Sequence, residues 1–247
     1  MASIVAKEIA HKPLKDEIYD ALHRQIIAGR FATGDWLRQE DIAVQMGVSM
    51  TPVREALDLL VAKGIAERVP YRGVRIREMS SKDVVEAYEM RLFLEAMIAR
   101  ETALNITPEQ ITKLEAIMSE MDRHVELSEM PQERQLSREF HAAIAEASGN
   151  SLLIQLYAIV ANAFPDWLLY EALYRKPELV TSSVAQTHDE HAAILGAFKK
   201  HDPDLAVKLS LEHVMESGRW LEIYRSIPAR LLREKEKHVS HLIKKTK

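Results

Sequence analysis

Apolar residues recur at positions 14, 18, 22, 26 and 27, a helical spacing that ends at Gly29. Thr33-Gly34-Asp35 reads as a turn, and a short second helix is expected near Gln39 to Met46, with Gly47 supplying a left-handed stop. Ser49 or Thr51 can cap a third helix that holds Pro52 in its first turn, runs to about Lys63 and stops at Gly64. Ile65 to Val69 and Val74 to Arg77 then alternate around Pro70-Tyr71-Arg72-Gly73, the pattern of a β-hairpin. Helix, turn, helix and wing in that order make a DNA reader, with the helix after the turn presented to the major groove.

From Ser80 onward strand signals disappear. Ser80-Ser81-Lys82-Asp83 is a capping sequence, and helical patterns follow over 82–104, 108–128, 132–148, 151–173, 178–200 and 203–225. Pro108, Pro131, Gly149, Pro177 and Pro203 lie in the breaks between them. The expected fold is therefore mainly α. A winged helix-turn-helix of three helices and a hairpin occupies 1–78, and an all-α bundle of six to seven helices occupies 79–229. The basic tail, 230–247, is expected to fray.

The charge is uneven along the chain. Net charge is −4 overall, but residues 1–78 carry 12 Lys+Arg against 11 Asp+Glu, residues 79–229 carry 14 against 24, and residues 230–247 carry 7 against 2. The acidity belongs to the bundle, while Arg68, Arg72, Arg75 and Arg77 concentrate positive charge at the wing. There is no cysteine, so a metal would need His and carboxylate ligands. No apolar run reaches the ~20 residues of a membrane span, and the first residues lack the layout of a secretory signal. The expected location is the cytoplasm.

The candidate DNA contacts follow from residue type and place. Arg54 lies on the outer side of the reading helix, where its guanidinium can fork onto guanine or grip a phosphate. Ser49 and Thr51 can donate to phosphate beside the helix N-terminus. Gly73 allows close backbone approach at the wing tip, with Arg72 and Arg75 available for phosphate or the minor groove. Arg38 and Met50 complete the DNA-facing set. This half resembles the winged helix-turn-helix of the GntR family of bacterial transcription regulators. The resemblance is carried by Gly34-Asp35-Trp36-Leu37, Asp41-Ile42-Ala43, Gly47-Val48-Ser49, the run Thr51 to Leu57, Gly64 and Arg72-Gly73. Two positions depart from the family: Met50 stands where an arginine is usual, and Glu40 where many members have a basic residue.

The second half resembles the FCD-type effector domain of the FadR branch. It does so through Tyr88-Glu89-Met90-Arg91 with Glu95, Phe140 to Ala145 with Asn150, His191 to Leu195, and Asp204 to His213. The resemblance implies that His141, His191 and His213 hold a divalent metal such as zinc, nickel or manganese, completed by a carboxylate effector. The family's aspartate four residues before the first histidine is Ser137 here, a neutral and poorer ligand. His188, one turn before His191, is either recruited in its place or is polar surface. Arg91 either clamps the effector carboxylate or pairs internally with Glu95. Trp167, Tyr170 and Tyr174 form an aromatic row suited to core, dimer or pocket.

The expected function is a ligand-responsive DNA-binding regulator, a homodimeric repressor that reads an inverted repeat of double-stranded operator DNA and senses a small organic acid. Two other readings treat the histidines as a hydrolytic metal centre or the helical half as a dimerisation block without a ligand. The first lacks a general base placed beside a bound water and any Gly-rich cofactor loop.

Overall fold

The computed structural model describes residues 12–27, 30–78, 80–126, 129–163 and 180–243. They fall into two compact units that divide in sequence between Arg77 and Glu78.

The first unit contains α1 (Leu14–Ile27), β1 (Trp36–Leu37), α2 (Gln39–Met46), α3 (Met50–Ala62), β2 (Ala66–Val69) and β3 (Gly73–Ile76). The inward residues of α1 recur at helical spacing, and Ile18, Leu22 and Ile26 are buried. α2 ends where Gly47 takes φ 65° and its N–H returns to the Val44 carbonyl at 3.3 Å. The wing gains a strand that periodicity did not reveal. β1 pairs antiparallel with β3, Leu37 opposite Val74, giving a three-stranded sheet in the order β1-β3-β2. Two residues are too few to show an alternation. Leu37, Val74 and Ile76 bury their side chains with Val53, Leu57 and Leu60 of α3 also in the core.

The second unit contains α4 (Ser81–Asn105), α5 (Pro108–Met121), α6 (Met130–Ala147), α7 (Ser151–Ala163), α8 (Val180–Lys199), α9 (Pro203–Arg225) and α10 (Ala229–Ile243). Reciprocal capping boxes start α4 (Ser80 with Asp83) and α5 (Thr107 with Gln110), and the Asp202 carboxylate caps α9 through the Leu205 N–H. α4 is the central helix. It buries Val84, Tyr88, Leu92, Ala96, Ala99 and Ala103 in succession, and it packs on α6, α7, α8, α9 and α10. Its alanines let neighbouring helices approach closely. Gly218 of α9 serves the same end, since a Cβ there would lie 2.6 Å from the Tyr88 hydroxyl oxygen.

Two boundaries differ from the sequence expectation. α5 stops at Met121, not 128, and the next apolar side chain, Val125, is exposed. α7 is described as far as Ala163, so the remainder of the expected 151–173 helix, with Trp167, Tyr170 and Tyr174, lies outside the described residues. Most of the expected basic tail is a helix. α10 buries Leu232 and Val239 completely, two turns apart, while Arg233, Glu234 and Lys237 are exposed. Lys235 and His238 both reach the Glu89 carboxylate at 2.7 Å, and the Tyr88 hydroxyl donates to Glu236 at 2.8 Å. The segment expected to fray is an amphipathic helix.

Candidate DNA-reading face and metal centre

α3 divides cleanly by burial. Val53, Ala56, Leu57 and Leu60 are inside, while Ser49, Met50, Thr51, Arg54, Glu55 and Asp58 are exposed. Ser49 holds the N-cap position with extended backbone, but its hydroxyl makes no capping bond. The cap expected from Ser49 is thus one of position only, and the helix start is left to other acceptors, such as a phosphate oxygen. Gln39 Nε2 donates to the Met50 carbonyl at 2.9 Å and ties this first turn to α2. Beside it runs a cleft of about 480 Å³ lined by Trp36, Arg38, Gln39, Arg68, Arg72 and Gly73 among others.

The cations around that cleft are not equivalent. Arg38, Arg54 and Arg72 are exposed. Arg68 is ion-paired with Asp58, linking wing to α3. Arg75, expected among the phosphate contacts, spends its Nε on Glu67 at 2.6 Å across the β2–β3 pair. Cross-strand charge complementarity decides that partner. At the wing tip Tyr71 and Gly73 take φ 62° and 106°, so the turn holds the Tyr71 side chain fully in solvent.

In the second unit His141 of α6, His191 of α8 and His213 of α9 converge. Each offers a ring nitrogen, and these atoms all lie within 4.8 Å of one another. The ring centroids are 4.9, 5.1 and 4.9 Å apart, and His191 Nε2 faces His141 Nε2 at 3.2 Å. Two ring nitrogens facing one another this closely need a proton or a cation between them. Burial, reinforced by the neighbouring imidazoles of His213 and His141, pushes the fully buried His191 well below the ordinary histidine range. It therefore stays neutral, the form that ligates metal. His213 donates from Nδ1 to Glu190 Oε2 at 2.7 Å, leaving Nε2 as its free lone pair. The donor set fits a divalent zinc-like ion with open positions.

Glu95 lines a small cavity beside His141. Burial pushes its carboxyl up, but Arg91 and the histidines His141 and His213 outweigh this and hold it below the usual range. Arg91 Nε donates to Glu95 Oε1 at 2.5 Å, so the internal ion pair is formed. Ser137, one turn before His141, is buried. His188 is absent from the three-histidine cluster and is not surface either. Its Nδ1 meets Asp122 at 3.0 Å, and its Nε2 lies 3.6 Å from Glu133. Glu133 is wholly buried, with Arg134 Nε at 3.4 Å, and neither of its oxygens has a hydrogen-bond partner among the described residues. Glu190 and Glu133 both escaped the sequence reading. Glu190 adjoins His191 in sequence yet serves His213, and nothing in the spacing marks Glu133 as buried.

Known proteins resemble this chain along both halves. Residues 14–76 match the family described as "Bacterial regulatory proteins, gntR family", and residues 86–216 match the FCD domain. The probable D-xylose utilization operon transcriptional repressor of Paenarthrobacter nicotinovorans is 27% identical, over 85% of this chain and 89% of its own. The HTH-type transcriptional repressor RspR of Escherichia coli (strain K12) is 25% identical, over 83% and 87%. The solved structure of E. coli McbR/YncC shares the fold, with a TM-score of 0.72 at 22% identity over 87% of this chain and 100% of that one. No described helix is long and apolar enough to cross a membrane. A winged reader joined to a ligand-binding helical body, matched along both halves, makes this chain a member of the GntR family of ligand-responsive, DNA-binding transcriptional regulators, in the branch that carries an FCD domain.

Proposed function

We propose that the protein is a repressor that binds an inverted-repeat operator as a homodimer and responds to a small carboxylate bound at a divalent metal in the helical unit. The convergence of His141, His191 and His213 from three helices carries this reading. Their imidazoles would hold the ion, with Glu190 orienting His213, and the ion would supply a Lewis-acidic site for a carboxylate. With serine in place of aspartate at 137, the centre holds one negative charge fewer, which favours an anionic effector. Ser137, buried one turn before His141, is the effector-facing candidate, whereas Arg91 and His188 would reach an effector only by leaving Glu95 and the Asp122–Glu133 pair. At the other unit, Arg54, Thr51, Ser49 and Met50 face the major groove, while Arg38, Arg72, Gly73 and, more weakly, Arg75 engage the backbone.

Two-fold symmetry of the protein matches two-fold symmetry of an operator. Exposed apolar side chains support a self-complementary face: Leu152, Leu156 and Ile159 of α7, with Met97 and Leu104 of α4, two helices that pack together. Effector binding shifts the population between arrangements that differ in DNA affinity.

Elemental mass spectrometry of protein purified without chelator is the direct test. About one equivalent of zinc, nickel or manganese is expected, and its loss in His141→Ala. Absence of metal in both proteins, with no uptake of added divalent ions, would overturn the metal reading. Operator binding abolished by Arg54→Ala, and altered by small carboxylates without turnover, tests the regulatory half.

A further inference from the structure

The first turn of α3 exposes a large apolar side chain between polar neighbours. Met50 is 50% exposed, flanked by exposed Ser49 and Thr51, with exposed Arg54 one turn further along the same face. It takes no part in the core, which α3 supplies from Val53, Ala56, Leu57 and Leu60. Its place is fixed all the same, because Gln39 Nε2 holds its carbonyl at 2.9 Å. The thioether has no donor and is only a weak acceptor, so it can neither grip a phosphate nor fork onto guanine.

In a helix-turn-helix the N-terminal residues of the reading helix are those that approach base edges. Of the groups that base pairs present in the major groove, the one that rewards an apolar contact is the C5 methyl of thymine. We propose that Met50 reads a thymine methyl at one position of each operator half-site, making it a specificity-determining residue. The unbranched side chain can adapt to the methyl without a fixed geometry. Arg54, on the same face, anchors the neighbouring base or phosphate, and the two together set the register. Met50 contributes to the choice of sequence and nothing to counterion release.

The test starts with the full-length protein and a pool of duplexes with a randomised core, from which bound sequences are enriched. The enriched duplex is then made with deoxyuridine replacing thymine, one position at a time, which deletes a single methyl group. At one thymine per half-site the wild type should lose about fourfold in affinity, the fold-change equivalent to about 0.8 kcal/mol for one buried methyl-sized group. Met50→Ala should be indifferent to the same replacement and should enrich sequences without that thymine. The dependence of log affinity on log salt should be the same for both proteins.

The proposal is overturned if enriched duplexes share no thymine, if every deoxyuridine replacement is silent, or if Met50→Ala shows the same loss as the wild type. Failure to enrich any sequence would overturn the DNA-reading function along with it.

Discussion

Glu190 accepts a 2.7 Å hydrogen bond from Nδ1 of His213 and thereby sets which nitrogen of that ring faces the other two histidines. His191 has no such support, since its Nδ1 is buried without a partner. One imidazole is oriented from behind and another by packing, with the Phe140 ring 4.6 Å away. Glu190→Gln should weaken zinc binding by about 10- to 100-fold while leaving the fold intact. Competition against a chromophoric chelator measures this, and an unchanged affinity would mean that the tautomer is set by something else.

Ser137 sits one turn before His141 on the same face of α6. Placing a carboxylate there with Ser137→Asp should raise divalent-metal affinity on the order of tenfold, because it offers an anionic oxygen beside the three imidazoles. The same change should weaken carboxylate effectors that share the ion. Titration of metal, followed by calorimetry with a panel of small acids, reports both effects.

His188 carries a pH-dependent share of stability. The Glu133 carboxylate raises its pKa above the ordinary 6.5, against a lowering by burial, with Asp122 adding to the rise. A raised folded pKa stabilises fully below the unfolded value of 6.5 and is lost as pH climbs through the folded one. Urea unfolding at about pH 5.5 and about pH 8.5 should therefore show the wild type losing more stability toward alkaline pH than His188→Gln. Equal losses would show that the pair does not couple to folding.

Gly218 faces the Tyr88 ring with no room for a methyl group. Gly218→Ala should cost about 2 kcal/mol through overpacking, despite alanine's better helix propensity. In denaturant titrations the midpoint should fall with little change in slope. A stabilised variant would mean that Tyr88 can swing aside, breaking its bond to Glu236.

Leu232 is fully buried in α10. Leu232→Ala should cost about 3 kcal/mol, the range for emptying a core leucine site, whereas substitution of a disordered tail would cost nothing. Thermal unfolding of the two proteins distinguishes the outcomes.

Much of this was legible in the chain. Gly47, Gly64 and the Ser80–Asp83 box marked element ends because each has a local physical cause, and the three histidines were placed by their family spacing. What escaped was set by tertiary partners. Pairing with β3 makes β1 a strand, burial of two residues orders α10, and packing alone determines that Arg75 is spent on Glu67 and that His188 turns toward Glu133 and not toward the histidine cluster. Charge counts mislead most at amphipathic helices. There the few residues that order the segment are outnumbered by those that only face water.

The seat of α10 against Tyr88 and Glu89 has a consequence for how the molecule is made. α4 is the first helix of the second unit to emerge during synthesis, and the segment that covers its opening turns is the last of the described elements to be translated. All strands and helices of the reading head, by contrast, lie before Arg77 and find their partners locally. Domains fold as units during synthesis, N-terminal first. A nascent chain thus owns a complete DNA reader for as long as its sensor is still unfinished.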